Sequence, residues 1–172
     1  KKWKLRVFEA VVIAKLLYGL ETLPVTEADA KRINAFQIRG LRKLLKIKHP
    51  YWSRISNEQV YEIANQNLKD ERKKLQPLSK TLERRQIILF GHYLREDPSN
   101  IIRRATFTEN GGRVSADFRR VGRPRSKWYH SVRRLVVNAL ESEGILPEGS
   151  EGTLTRTEID EFLRDSANER LF

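Results

Sequence analysis

The carboxylates of this sequence are the first candidates for metal-dependent chemistry. Polymerases and two-metal nucleases need several carboxylates close together to hold a pair of Mg²⁺ ions. Adjacent acidic pairs occur at 70–71, 96–97 and 160–161. Neighbouring residues of a helix point apart, the second pair precedes a proline, and the third lies in an acidic tail. Each pair therefore fits a solvated or capping role better than a catalytic one.

Zinc, nucleophile and phosphate-loop chemistry is also poorly supported. His49, His92 and His130 are widely separated, and the chain has no cysteine to complete a zinc site. The sequence has no serine or threonine nucleophile motif and no glycine-rich phosphate loop. We therefore expect no catalytic centre, no metal site and no cofactor in this chain.

Positive charge is the strongest chemical signal. The 172 residues include 34 Lys and Arg against 22 Asp and Glu, for a formal net charge of +12. Residues 141–172 hold nine acidic and three basic residues, so the rest of the chain is strongly basic. A basic body with an acidic tail indicates a polyanionic partner, and nucleic acid is the usual one. An anionic membrane is the rival, but it favours an exposed amphipathic helix, whereas these helices are predicted to pack together.

The composition limits the class of protein further. Apolar residues make up 39% of the chain, which is enough for a folded core. The apolar run at 7–20 is interrupted by Glu9 and Lys15, so we expect no membrane span. The sequence starts at Lys1 and contains no methionine, so we expect a fragment or a processed piece of a longer protein.

The apolar residues follow helical spacing along nearly the whole chain, which predicts an all-α fold. We expect two small helical lobes, 1–76 and 77–172, that meet near Pro77. The residues predicted to face inward on the first helix are Leu5, Phe8, Val12, Leu16 and Gly19, with a wider buried face that includes Val7, Val11 and Tyr18. Later helices are predicted to start near Ser56, Asp70, Asn100, Ser126 and Thr155.

A second helix is predicted to begin at Thr26, which has Asp29 three residues later, as in a capping box. Its apolar stripe is predicted at Ile33, Phe36, Gly40, Leu41, Leu44 and Leu45. Its opposite face is basic and includes the candidate phosphate-binding residues Arg39, Arg42, Lys43 and Lys46. A solvated charged face would explain these cations equally well.

The second lobe is predicted to place further cations on a helix and in a loop. The helix that follows Pro77 carries Arg84, Arg85, His92 and Arg95. Residues 108–125 contain glycine, proline and arginine with few apolar residues, which predicts an exposed basic loop. The candidate binding residues of this region are Arg119, Arg120, Arg123, Arg125 and Lys127. Gly-Arg-Pro-Arg at 122–125 resembles an AT-hook core, although Val121 replaces the preceding arginine of that motif.

Five motifs occur in order along the chain. They are Leu-Tyr-Gly-x-Glu-Thr at 17–22, Phe-x-x-Arg-x-Leu-Arg-Lys-x-Leu at 36–45, Ile-Ser-Asn-Glu at 55–58, Arg-Arg-x-x-x-x-x-Gly-His-x-x-Arg at 84–95 and Gly-Arg-Pro-Arg-x-x-Trp at 122–128. As a set they resemble the region downstream of the polymerase palm in non-LTR (LINE-type) retrotransposon reverse transcriptases. The resemblance covers about residues 5–140. Beyond it, the tryptophan-containing terminal helix of many relatives and the cysteine-containing knuckle of some are missing.

The resemblance implies both a fold and a function. Residues 17–22 would belong to the thumb, a helical subdomain that grips the template–primer duplex. The residues implied to hold nucleic acid are Arg39, Arg42 and Lys43 in the thumb and Arg84, Arg85, His92 and Arg95 in the connection that follows. The chain would be a non-catalytic part of an RNA-directed DNA polymerase, with the palm and fingers of its parent polypeptide as partners. Its location would be nuclear or cytoplasmic.

Two other functions stay open. A free-standing basic DNA-binding protein would use the loop at 122–125 as its main contact. A protein-interaction module would dock its acidic 141–172 segment on a basic partner, or fold that segment back on its own basic body.

Overall fold

The computed structural model describes residues 2–68, 74–107 and 128–146. Within these ranges the chain forms helices joined by turns, without a β-strand, and this confirms the all-α prediction. The predicted basic loop and the acidic tail lie outside the described residues.

The described residues divide into two compact units. The first unit runs to Glu21 and continues over Val25–Leu82. The second comprises Thr22–Pro24 and the described residues from Glu83 onward. This division falls inside one helix, and the lobe boundary predicted at residue 76 stays a prediction.

The N-terminal helical run changes its hydrogen-bonding pattern along its length. It consists of α1 (Lys2–Val7), a π-helical stretch (Phe8–Ile13) and α2 (Ala14–Leu17). A π-helix bonds residue i to i+5, so it takes up extra chain per turn and shifts the inward face along the sequence. Ile13 and Leu17 are therefore buried, whereas Val12, which was predicted to face inward, is exposed. The wider buried face was also predicted wrongly, since Val7, Val11 and Tyr18 are exposed.

The next helix, α3 (Glu27–Leu45), begins at the predicted capping box. The Asp29 N–H donates to Thr26 Oγ1 at 3.2 Å, and the Thr26 N–H donates to Asp29 Oδ2 at 3.3 Å. These reciprocal bonds satisfy N–H groups that a helix start otherwise leaves open. The helix ends at Lys46, whose backbone is left-handed with φ 60° and ψ 36°.

The first unit is completed by two further helices, α4 (Pro50–Ser53) and α5 (Asn57–Leu68). Its main core consists of Leu5, Ile38, Leu41, Leu45, Val60, Ala64, Leu68 and Leu75. Gly40 lets α3 and the N-terminal run approach closely, because a Cβ there would lie 2.5 Å from Phe8 Cζ. Phe36, predicted to face inward beside this glycine, is instead exposed.

The remaining helices are α6 (Leu78–Arg95), α7 (Ile101–Thr106) and α8 (Trp128–Ser142). The helix start predicted near Asp70 lies outside the described residues, and residues 74–77 are not helical, so α6 begins directly after Pro77. Asn100 caps α7 as predicted, since its Oδ1 accepts from the Ile102 N–H at 2.9 Å. The core of the second unit consists of Phe90, Leu94, Phe107, Tyr129, Val132, Val136, Val137, Leu140 and Leu146.

Candidate nucleic-acid interface

One stretch of the first unit contains basic residues but no acidic ones. Between Asp29 and Glu58 the sequence contains eight Lys and Arg and no carboxylate. This stretch covers most of α3, all of α4 and the segments that join α4 to its neighbours. Every carboxylate that could neutralise these cations locally therefore stands at the edges of the stretch.

The cations at the start of α3 are paired with those edge carboxylates. Lys31 Nζ lies 2.6 Å from Glu27 Oε1, and Arg32 Nη1 lies 3.7 Å from Asp29 Oδ1. The Thr26 hydroxyl and backbone hold the pKa of Asp29 below its ordinary value, with a smaller contribution from Arg32. Asp29 therefore stays ionised as both a cap and an ion-pair partner.

Further along α3 the cations are open, which here means exposed and without an ion-pair partner among the described residues. Arg39 and Lys43 are one helical turn apart on one face, and Lys46 follows at the helix end. All three side chains are exposed. Within the described ranges, no carboxylate forms an ion pair with any of the three. Three of the four cations predicted on this helix are thus available to a phosphate backbone.

Arg42 is the fourth, and its predicted position on the exposed basic face is corrected. The residue is only 7% exposed, and its guanidinium lies inside the first unit. Nη1 donates to the Lys48 carbonyl at 3.1 Å and Nη2 donates to the Ile55 carbonyl at 2.6 Å. Nη1 also lies 3.4 Å from Ser53 Oγ. The side chain holds the loop after α3, because a planar guanidinium can bond several acceptors at once.

The loop that Arg42 holds presents two aromatic side chains that the sequence analysis did not single out. Tyr51 and Trp52 form the middle of α4 and are both exposed. Their signal in the sequence is an aromatic pair within a basic stretch that lacks carboxylates. Local spacing could not show that both rings would face solvent.

The predicted cations of α6 belong to the second unit and differ in accessibility. Arg84 and Arg85 are exposed, and no described carboxylate forms an ion pair with either. His92 is exposed, with Nε2 3.2 Å from Glu96 Oε1. Arg95 is half-buried and has a polar partner of its own. Arg84 and Arg85 are therefore the open cations of this helix.

His92 belongs to a polar cluster at the junction of α6 and α7. Its partner Glu96 also accepts from Asn100 Nδ2 at 3.0 Å, through the other carboxylate oxygen. The Glu96 backbone carbonyl accepts from Arg103 Nη1 at 2.5 Å. The geometry places His92 in a connection that orients α7.

The last group of predicted cations, Arg119, Arg120, Arg123, Arg125 and Lys127, lies outside the described residues. Among the residues that are described, no group of histidines and carboxylates could hold a metal ion. In the same part of the chain, no helix has the length and apolar character to cross a membrane.

No protein family matches this chain, and neither a curated protein nor a solved structure shows detectable similarity to it.

Proposed function

We propose that this chain is the non-catalytic nucleic-acid-binding part of a non-LTR retrotransposon reverse transcriptase. It holds template–primer, element RNA or target DNA through the phosphate backbone. The observation that carries the proposal is the open basic face of α3, in a stretch with eight cations and no carboxylate between Asp29 and Glu58. Nucleic acid is the polyanion that such a face binds most commonly.

Two further features support this proposal. The motifs at 17–22, 36–45 and 84–95 resemble those of the thumb and connection of such enzymes, in the same order. Arg84 and Arg85 on α6 offer a second set of open cations. By the same resemblance, the palm and fingers of the parent polypeptide supply the catalytic carboxylates, and the location is nuclear or cytoplasmic.

The proposed contacts are to backbone rather than to bases. Lysine and arginine contacts to phosphate position a protein on nucleic acid but carry no sequence information. We therefore expect weak sequence preference, with selectivity for the shape of a duplex RNA, a hybrid or a structured RNA. If about six phosphates are engaged, log affinity falls against log salt concentration with a slope of about −4 to −5.

The test is fluorescence anisotropy on duplex RNA, RNA–DNA hybrid, duplex DNA and single strands over a salt series. The test variant is Arg39→Gln with Lys43→Gln, which removes two open cations from α3. Each lost phosphate contact makes the salt slope shallower by about 0.7–0.9, so this variant changes it by about 1.4–1.8.

The matched control is Lys31→Gln with Arg32→Gln, which removes the same charge from the same helix. These two cations are already paired with Glu27 and Asp29, so we expect a much smaller change in slope. Equal effects of the two variants would mean that net charge, not the open face, governs binding. A wild-type slope near zero would assign the positive charge to protein docking instead.

A further inference from the structure

The exposed aromatic pair on α4 has the chemistry of a second kind of nucleic-acid contact. We infer that Tyr51 and Trp52 form a stacking platform for unpaired bases of a single-stranded RNA or DNA segment. This inference rests on the proposed function and deepens it, because it names the form of nucleic acid that the first unit takes beyond a duplex. The cations around the rings would hold the backbone of the same segment.

The rings are open to a ligand. Tyr51 is 72% exposed and Trp52 is 75% exposed. Their centroids are 5.1 Å apart and their planes meet at 87°, so the two rings form an edge-to-face pair. Bases stack on open aromatic faces in proteins that bind single strands, and this contact tolerates any base because every base has a π-face. The edge-to-face pairing presents two differently oriented faces within a span of two residues.

The loop that carries the rings is held in place before any ligand binds. Arg42 donates to the carbonyls on both sides of α4, at Lys48 and Ile55. His49 caps α4, since its Nδ1 accepts from the Tyr51 N–H at 3.3 Å and its carbonyl accepts from the Trp52 N–H at 2.9 Å. A site that is already ordered loses less conformational entropy on binding. The buried arginine of α3 therefore serves the platform indirectly, by fixing the backbone beneath it.

The residues that flank the rings in the sequence are basic, which favours an anionic ligand. Lys46, Lys48 and Arg54 are exposed and lie within six residues of the pair on either side. No acidic residue occurs between Asp29 and Glu58, so a carboxylate-rich surface and a phosphate backbone are the ligands that this charge suits. The aromatic pair decides between them, because stacking rings interleaved with cations are the combination that binds single-stranded nucleic acid.

The experiment compares a blunt duplex with the same duplex carrying a single-stranded extension. Binding of both is measured by anisotropy for the wild-type chain, Trp52→Ala and Tyr51→Ala. We expect each alanine variant to lose about 5- to 150-fold in affinity for the extended duplex, the range found when a stacking ring is removed. Affinity for the blunt duplex should stay within about twofold of wild type, because phosphate contacts on α3 are unchanged.

Two further variants make the result specific. Trp52→Phe keeps an aromatic face, so it should retain most of the wild-type affinity for the extended duplex. The same variant should remove any quenching of tryptophan fluorescence that the oligonucleotide causes at this site. Trp3→Ala is the matched control, since Trp3 is 73% exposed, lies between Lys2 and Lys4, and precedes the aromatic pair by 48 residues in the sequence. We expect it to bind both substrates as wild type does.

The outcomes separate this inference from the function on which it rests. If both alanine variants bind the extension as tightly as wild type, while wild-type binding depends steeply on salt, the platform is overturned and the proposed function stands. Equal losses in Trp3→Ala, or equal losses on the blunt duplex, also overturn the platform. If the wild-type chain binds none of these nucleic acids, the proposed function fails, and the rings are assigned to a protein partner.

Discussion

The two units of this chain differ at the centre of their interiors, although each buries a glutamine and an arginine. The interior of the first unit contains polar groups that reach from a helix to the backbone of a neighbouring segment, such as Gln37 and Arg42. The interior of the second unit is centred on an aromatic ring, Phe90, which is fully buried. The second unit also buries Arg133 and Gln86, whose Nε2 donates to the Leu23 carbonyl at 2.9 Å, but aromatic rings surround Phe90 at its centre.

In the first unit, one buried glutamine joins three segments. Gln37 Oε1 accepts from the Tyr61 hydroxyl at 2.6 Å and from the Leu78 N–H at 3.1 Å. Its Nε2 donates to the Gln76 carbonyl at 3.1 Å. Asn65 holds the same segment from α5, bonding the Leu75 N–H and carbonyl at 2.6 and 3.1 Å. These hydrogen bonds fix the backbone path of residues 75–78. Apolar packing alone fixes such a path less well, because it is not directional.

In the second unit, three rings from two segments, the end of α7 and the start of α8, surround Phe90. Its centroid lies 5.2 Å from Phe107, 5.9 Å from Tyr129 and 6.1 Å from Trp128. Such pairs add stability through burial and favourable ring geometry. The second unit is therefore centred on packed rings, whereas the first unit uses directional bonds to fix two segments: residues 75–78, and the loop that carries the aromatic pair.

The largest expected effect is the loss of the ring at the centre of the second unit. Phe90→Ala should lower the free energy of unfolding by about 3–5 kcal/mol, because it removes a fully buried ring and leaves a cavity. Urea unfolding measures the loss. Hydrogen exchange should show faster exchange in α8, while α3 keeps its protection.

Ile88→Ala is the control on the same helix, since Ile88 is exposed. Its effect should stay within about 0.5 kcal/mol. If Phe90→Ala removed protection from α3 and α8 equally, the two units would unfold together. The difference between their interiors would then not give them different free energies of unfolding.

Local sequence patterns correctly predicted the caps of α3 and α5. The capping pairs Thr26 with Asp29 and Ser56 with Gln59 both form, and each needs only residues within one turn. The open positions of Arg39 and Lys43 were also predicted, because they follow from helical spacing around a known apolar stripe. These features depend on neighbours in sequence, which a single sequence displays.

The features that were missed depend on contacts distant in sequence. Val12 was predicted to face inward, but the backbone is π-helical from Phe8 to Ile13. No residue pattern in the sequence predicted that change. Arg42 was placed on the solvent face because its partners come from a loop whose path is set by the left-handed Lys46. The exposure of Tyr51 and Trp52 follows from the same loop. Local spacing therefore predicted the exposed cations of α3, whereas the burial of Arg42 and the exposure of the aromatic pair depend on a loop that local spacing does not reveal.

The second expected effect is the loss of the arginine that holds this loop. Arg42→Ala should lower the free energy of unfolding by about 2–3 kcal/mol, because buried carbonyls lose hydrogen bonds from a charged donor. Arg42→Lys should lose most of the same stability, since an ammonium cannot reproduce the planar fork of a guanidinium. Urea unfolding followed by circular dichroism measures both variants.

Arg39→Ala is the matched control, three residues earlier on the same helix. Its side chain is exposed, so stability should change by less than about 0.5 kcal/mol while nucleic-acid affinity falls. The opposite ranking, with Arg39 governing stability and Arg42 governing affinity, would contradict the assignment of the two side chains. Equal and small stability effects would mean that the loop keeps its path without Arg42.

The smallest expected effect concerns the pH dependence of the first unit. Burial raises the pKa of Tyr61 to about 12, because the half-buried phenol resists ionisation. An unfolded tyrosine has a pKa of about 10, so the folded state holds this proton more tightly. The resulting stability is fully present below about pH 10 and is lost as the pH rises towards 12.

Tyr61→Phe should remove that part of the alkaline loss of stability. At pH 8 it should cost about 0.5–1.5 kcal/mol, since one hydrogen bond to Gln37 is lost and the Leu78 N–H still bonds the same oxygen. Urea unfolding from pH 8 to 11 measures both effects, with Tyr51→Phe as a pH 8 control for the loss of one exposed hydroxyl. If the free energy of unfolding falls with rising pH as steeply in Tyr61→Phe as in the wild type, the folded and unfolded states hold the Tyr61 proton equally tightly. The hydrogen bond from Tyr61 to Gln37 would then add little to the stability of the first unit. The polar contacts of that unit would contribute less to its stability than their number suggests.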